Sequence, residues 1–285
     1  MDAVNNILIT ADSTCDLPSD IVKSRDIEIV PLSILLGEDE HLDGVDVTPD
    51  DIYNFVSEQK ILPKTAAVPP NRYYEVFERA VNEGKKVVHI SLSSAISSTY
   101  QNACIAAEEF DDVYVVDSKS LCTAMGLLVL KACDFRDKGM DAKNIADKVT
   151  KLVPKTSATF VLRSLEYLHK GGRCSGVARF GSNVLGIKPS IEVNADGAMD
   201  VAKKYRGKME AVYKQYVNDR LDENRIDTSR IVIANSGDIE PQTLAFIKGL
   251  VEGGDRFSEI IFADAGCTIS SHCGPGTLAI FYIRR

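Results

Sequence analysis

VVHISLSSAISSTYQNACIAAEEFDDVYVV, residues 87–116, places a helix between two apolar runs of the β type. Residues 87–90 and 113–116 predict strands, and the polar residues 91–98 lead into a helix that continues through Ala107. Parallel strands need a crossover connection, usually a helix, so this stretch predicts a βαβ unit in a parallel sheet.

The same alternation extends over the rest of the first half. Thr48, Pro49, Asp50 and Asp51 are typical of a helix start, and Gly84 is typical of a helix end. Strands are predicted at residues 7–10 and 27–36, a helix entry at 16–19, a helix from 48–51 onwards, a loop at 63–70 and a helix at 73–81.

The second half has a different pattern, in which helices and strands alternate less regularly. Asn194 and Gly197 bound a favourable hairpin turn between the predicted strands 190–193 and 199–202. Helices are predicted at residues 121–138, 142–153, 208–221 and after 241, and further strands at 159–162, 231–234, 260–262 and 277–283. We therefore predict an N-terminal Rossmann-like α/β domain over residues 1–155, with a three-layer α/β/α structure and a mainly parallel sheet. A C-terminal two-layer α+β domain with a mixed sheet is predicted over residues 156–285.

Composition limits the functions that the chain can have. The 285 residues are 45% hydrophobic and 26% charged, as in an ordinary globular protein. A net charge of -8 argues against a general nucleic-acid binder. Residues 1–8 have neither a cationic nor a long apolar segment, and no apolar stretch is long enough for a membrane span. Seven cysteines without a C-x-x-C pair favour a reducing environment, so we expect a cytoplasmic protein without integral membrane association.

Three polar segments could bind a ligand at the edge of the sheets. They are residues 64–70, residues 91–100 and the loop 272–276, in which His272 precedes Cys273 and the turn Gly274-Pro275-Gly276. Hydroxyl groups and the free N–H groups of a helix start favour an anion, and the Gly-Pro-Gly turn limits the motion of the histidine. Together these segments predict a site for a small anionic group.

Other chemistries remain open at this point. A serine hydrolase would use Ser93 or Ser97 as the nucleophile, His272 as the base and Asp117 as its partner, but the G-x-S-x-G motif is missing. A small-anion sensor is another alternative. Cys267, His272 and Cys273 lack the paired spacing of metal ligands, and we therefore predict no metal. We also expect no cofactor.

Two basic features stand out in an acidic chain. Arg173 follows a pair of glycines, and residues 203–208 form a cationic cluster that contains Arg206. Each is typical either of a solvated face or of a surface that binds a phosphate-bearing substrate or an acidic partner.

Together, the segments resemble the DegV family of bacterial fatty-acid-binding proteins. The resemblance covers nearly the whole chain in order, through residues 10–14 (TADST), 65, 93–101 (SSAISSTYQ), 116–119 (VDSK), 165–175, 187–189 (IKP), 206–208 (RGK) and 272–276 (HCGPG). The chain departs from the family pattern at residues 66–68, at Ala95 and Ser98, where glycines are usual, and at Cys273, where threonine is common.

The resemblance implies a carrier without catalytic activity of its own, which holds one long-chain fatty acid between its two domains. Matched residue by residue, Thr65 and Ser97 would bind the carboxylate through their hydroxyls, Ser98 through its backbone N–H, and His272 would lie close by. The resemblance also implies a separate ATP-dependent kinase that converts the presented carboxylate to an acyl-phosphate, with Arg173 and Arg206 on the docking surface.

Overall fold

The computed structural model describes residues 6–174 and 186–285. The sequence also predicts a helix that starts near Ser175, and that position lies outside these ranges. The strands, in chain order, are β1 (Ile7–Asp12), β2 (Ile27–Val30), β3 (Ser33–Leu36), β4 (Asp39–Leu42), β5 (Lys64–Ala66), β6 (Lys86–Ser91), β7 (Val113–Asp117), β8 (Thr156–Val161), β9 (Ile187–Val193), β10 (Met199–Arg206), β11 (Ile226–Asn235), β12 (Ile260–Asp264) and β13 (Leu278–Arg284).

The α-helices of the described residues are α1 (Ser19–Ser24), α2 (Pro49–Gln59), α3 (Pro70–Asn82), α4 (Thr99–Ala107), α5 (Cys122–Asp137), α6 (Ala142–Leu152), α7 (Glu166–Gly171), α8 (Met209–Leu221), α9 (Pro241–Glu252) and α10 (Cys267–Cys273). Local sequence explains several of their ends. Thr48 and Asp51 form a reciprocal capping box at the start of α2, and proline occupies the first turn of α2, α3 and α9.

The two main sheets confirm the predicted fold class. The first has the order β2-β1-β6-β7, and all its strands are parallel. Helices α3 and α4 pack on it together, as do α5 and α6, which makes a three-layer α/β/α structure. The second is mixed, with the order β10-β9-β8-β13-β11-β12, and only β11 and β12 are parallel among its pairs. The predicted hairpin around Asn194 and Gly197 joins β9 to β10.

Helix α5 connects the two sheets. It contacts β1 and β6 of the parallel sheet and β8, β11 and β13 of the mixed sheet. Most of its residues are buried, as expected of a helix covered on more than one side.

Two local predictions were wrong. Residues 27–36 form two strands in different sheets, because Pro31 has no N–H for a ladder and the Leu32 N–H donates to Ser13 Oγ at 3.2 Å. Residues 63–70 are not only a loop, since β5 pairs with β3 in a small antiparallel sheet of order β4-β3-β5.

Candidate functional site

A cavity of about 160 Å³ lies between the loops of the parallel sheet and the mixed sheet. A single water needs about 10–15 Å³, so this space is larger than a hydration site. Its lining includes residues from both halves of the chain, and most are apolar. The large apolar residues of the lining are Leu32, Leu92, Ile96, Leu121, Phe160, Leu168, Met199, Ile269 and Phe281.

Neighbouring strands of the mixed sheet provide one wall of this cavity. Phe160 on β8 lies opposite Ala279 on β13, and Ala279 lies opposite Ala234 on β11. All three residues line the cavity. Because the two alanines are small, the space above the sheet is open at these positions.

We call the part of the lining formed by Thr65, Ser97, Ser98 and His272 the polar end of the cavity. Thr65 Oγ1 lies 2.9 Å from His272 Nε2, and both residues line the cavity. The two residues are 207 positions apart in sequence. The structure thus brings together two of the predicted site residues in a direct hydrogen bond.

His272 lies in the last turn of α10, not in the predicted loop. The turn Gly274-Pro275-Gly276 follows α10 directly. Gly274 and Gly276 have φ values of +68° and +74°, where other residues are strained. A Cβ at Gly274 would lie 2.6 Å from the Tyr167 ring, and one at Gly276 would lie 2.5 Å from Arg163 Nε. Close packing and backbone conformation both require glycine at these positions.

Helix α7 packs against the Nδ1 side of the His272 ring. Gly171 packs so closely against His272 Nδ1 that a side chain would collide with the ring. Nδ1 is buried and has no hydrogen-bond partner among the described residues. Burial, with a smaller contribution from the charge of Arg173, lowers the pKa of His272 from 6.5 to about 4. The imidazole is therefore neutral at pH 7.

The segment that follows β6 contributes the serines. Ser97 and Ser98 line the cavity, and Ser97 Oγ is hydrogen bonded to Thr99 Oγ1 and accepts from the Thr99 N–H at 3.2 Å. Ser93 points elsewhere, because its Oγ donates to the carbonyl of Gly197 at 2.8 Å. The four residues predicted for a carboxylate site, namely Thr65, Ser97, Ser98 and His272, therefore share one cavity.

The serine hydrolase alternative finds no geometric support. His272 Nε2 is bonded to Thr65 and not to Ser93 or Ser97. Asp117 accepts from the backbone N–H groups of Ser94 and Lys119 and does not orient the imidazole. Ser93 or Ser97, His272 and Asp117 therefore do not form a hydrogen-bonded catalytic triad.

Of the two arginines predicted for a docking surface, Arg173 lines the cavity and Arg206 does not. Arg173 is exposed and also lines the cavity, and its Nη1 donates to the carbonyl of Gly171 at 2.7 Å. Arg206 is exposed at the end of β10 and is not part of the cavity lining. A positive charge therefore stands beside the polar end of the cavity.

Residues 6–174 and 186–285 contain no group of three or more His, Cys, Asp or Glu that could hold a metal ion. The Cys267 thiol donates to the carbonyl of Val47 at 3.2 Å, and its N–H donates to Asp43 at 2.9 Å. Over the same residues, no helix is long and apolar enough to cross a membrane.

Sequence reasoning missed two residues that shape the site. Asp43 holds the start of α10, since it also accepts from Thr268 Oγ1 at 2.7 Å. Gly171 shapes the pocket of the His272 ring. For Gly171 the sequence offered only the adjacent pair Gly171-Gly172 as a signal. For Asp43 it offered no local pattern.

Fold and site define a two-domain α/β protein with a largely apolar cavity that Thr65, Ser97, Ser98 and His272 also line. The sequence profile of the DegV family, whose description is "uncharacterised protein", matches residues 6–285. The chain belongs to this family, as its resemblance indicated. A DegV domain-containing protein of Clostridium acetobutylicum is 34% identical over 287 residues, which cover 99% of this chain and 100% of the relative.

Solved structures agree with the assignment. A DegV family protein from Thermus thermophilus, described by its fatty acid binding, has a TM-score of 0.89 and 27% identity, covering 98% of this chain and 100% of that one. A stearic acid-binding protein from Eubacterium ventriosum has a TM-score of 0.82 and 25% identity, with 97% of each chain covered.

Proposed function

We propose that the protein binds one long-chain fatty acid in the cavity, with the carboxylate at the polar end. The observation that supports this most is the combination of Thr65, Ser97 and His272 with a largely apolar lining in one cavity. Two similar proteins of known structure are described as binding fatty acids. The proposed ligand lies between an N-terminal domain of residues 1–155 and a C-terminal domain of residues 156–285.

The apolar wall would supply most of the affinity. Burying one CH₂ group contributes about 0.8 kcal/mol, so a tail of ~16 carbons contributes on the order of 12 kcal/mol before ordering costs. A neutral hydrogen bond contributes about 0.5–1.5 kcal/mol, so the hydroxyls mainly orient the carboxylate. Because His272 is neutral, it can take part in a hydrogen bond at the polar end but adds no charge there. The positive charge near the carboxylate would come from Arg173.

Native mass spectrometry tests this proposal directly. Protein purified from bacteria should carry one acyl chain, and delipidated protein should take up one oleate or palmitate. Decane-1-ol, which has neither the carboxylate nor a long tail, is the control and should not compete at equal concentration. Protein that is empty as purified and takes up neither acid would refute the proposal.

We further propose that this is a cytoplasmic carrier without catalytic activity, which presents its ligand to a separate ATP-dependent kinase. A carboxylate oxygen would attack the γ-phosphorus of ATP, and the bond to the ADP oxygen would break to give an acyl-phosphate. Ser98 and Arg173 line the cavity and are exposed, which is consistent with a ligand oxygen close to the surface. Arg173 and Arg206 would contact the kinase.

Arg206→Ala separates presentation from lipid binding, because Arg206 does not line the cavity. Oleate affinity should stay within twofold, and acyl-phosphate formation by a fatty acid kinase should fall. Lys143→Ala, which removes an exposed cation of α6 outside the 203–208 cluster, is the control for general loss of charge. Equal kinase rates for wild type and Arg206→Ala would remove Arg206 from the docking surface.

A further inference from the structure

A buried carboxylate lies beneath the loops that carry the polar residues of the cavity. Asp12 is the last residue of β1, is fully buried and does not line the cavity. A carboxyl group is rarely buried without partners, and each donor bonded to it would lose its acceptor if the group were removed. The partners of Asp12 therefore indicate what it holds in place.

One oxygen of Asp12 holds the start of the serine segment. Oδ2 accepts from the Leu92 N–H at 2.7 Å and from Ser91 Oγ at 2.8 Å. Leu92 lines the cavity, and Ser97 follows it by five residues. The position at which this segment leaves β6 is thus set by two bonds to one oxygen.

The other oxygen holds the element that follows Thr65. The Tyr73 hydroxyl donates to Asp12 Oδ1, and Tyr73 is fully buried in α3. Helix α3 begins at Pro70, shortly after β5, which contains Thr65. His89 Nε2 also lies 3.3 Å from Oδ1.

A second contact connects the same two segments. Asn102 Nδ2, on the helix that follows the serine segment, donates to the carbonyl of Val68 at 2.8 Å. Val68 lies between β5 and α3. The Thr65 segment and the Ser97 segment are therefore held both to each other and to Asp12.

We propose that Asp12 is a positioning residue, which fixes Thr65 and Ser97 at the spacing that a carboxylate requires. This inference rests on the proposed function. Its effect concerns the head group and not the tail, because the partners of Asp12 are the segments with the hydroxyls. Removal of the carboxylate leaves the Leu92 N–H and the Tyr73 hydroxyl without their acceptor, and these segments then shift.

The test compares two ligands with the same tail, oleate and oleyl alcohol, whose affinities are measured by titration. Asp12→Ala should reduce the preference for oleate over the alcohol by about tenfold, with the affinity for the alcohol changed less than threefold. Asp12→Asn keeps one acceptor oxygen and should reduce the preference by about threefold. The matched control is Ser190→Ala on β9, which removes another buried acceptor of a backbone N–H, that of Lys203 at 3.1 Å, away from the cavity lining and from Asp12, and should leave the preference unchanged.

Folding of each variant is checked by near-UV circular dichroism, and Asp12→Asn carries the test if Asp12→Ala does not fold. An unchanged preference in a folded Asp12 variant, or an equal loss for both ligands, would overturn the positioning role. Failure of the wild type to bind either ligand would instead refute the proposed function.

Discussion

The two ends of the cavity are built in different ways. At the polar end, Thr65 and His272 come from elements 207 positions apart and meet in a single hydrogen bond. On the apolar wall, Phe160, Ala279 and Ala234 lie side by side on neighbouring strands of one sheet. The polar end therefore depends on how distant segments are held together, and the wall depends on side-chain volume.

This difference separates affinity from orientation. A larger side chain on the wall fills cavity space and displaces several methylenes of the ligand, each of which contributes about 0.8 kcal/mol to binding. Loss of a hydroxyl at the polar end removes one hydrogen bond, which contributes about 0.5–1.5 kcal/mol. Substitutions on the wall should thus alter affinity for long chains, and substitutions at the polar end should alter recognition of the carboxylate.

The largest effect is expected on the wall. Ala279→Leu fills space above the sheet and displaces about four methylenes of the tail, which costs ~3 kcal/mol or about 100-fold in oleate affinity. Ala202→Leu, an exposed position on β10 of the same sheet, is the control and should leave affinity unchanged. Calorimetric titration measures both variants, and full affinity in Ala279→Leu would place the tail elsewhere.

The pH dependence of stability tests the polar end without a ligand. Because the pKa of folded His272 is about 4 and its unfolded value is 6.5, the unfolded chain binds a proton first as the pH falls. The contribution of neutral His272 to the free energy of unfolding is fully present above pH 6.5 and decreases by about 3 kcal/mol as the pH falls to 4. His272→Gln should lack this part of the decrease, and urea unfolding of both proteins at pH 7, 5 and 4 measures the difference. Identical pH profiles for the two proteins would contradict a buried neutral imidazole.

Gly171 links the polar end to α7. Gly171→Ala should displace the His272 ring, lower stability by about 1–3 kcal/mol and weaken oleate binding by about tenfold. Gly249→Ala in α9 is the matched control, since nothing lies within 4 Å of its added methyl group. That variant should gain up to about 1 kcal/mol of stability and bind oleate normally. Normal oleate binding by Gly171→Ala would show that the ring position does not matter.

The smallest effect is expected from one hydroxyl. Ser97→Ala should weaken oleate binding by about three- to tenfold, equally for palmitate and oleate, because one hydrogen bond to the carboxylate is lost. Ser98→Ala is the control, since only the backbone N–H of Ser98 is proposed to contribute. A loss that grows with tail length would assign Ser97 to the apolar wall.

The sequence predicted the parallel sheet because its strands are continuous apolar runs separated by helices, and this signal is local. It did not predict α10, whose Ser270 and Ser271 are weak helix formers. Their hydroxyls donate to the carbonyls of Ala265 and Cys267 at 3.2 and 2.8 Å, and Asp43 holds the helix start. The local hydroxyl bonds occupy the polar groups of the serines, and the tertiary contact with Asp43 fixes the start of a helix that composition alone does not indicate.

The candidate site was predicted in part. The resemblance named Thr65, Ser97, Ser98 and His272, and the structure places all four on one cavity. The place of Arg173 on the cavity lining and the contact of Gly171 with His272 depend on distances between α7 and α10. No spacing along the chain contains that information.

A crystal structure of the protein with oleate would test the central claim most directly. We expect one carboxylate oxygen within about 3 Å of Thr65 Oγ1 or Ser97 Oγ, as in ordinary hydrogen bonds, with the tail along Phe160, Ala279 and Ala234. A carboxylate at the far end of the cavity, or an acyl chain bound outside it, would contradict the account.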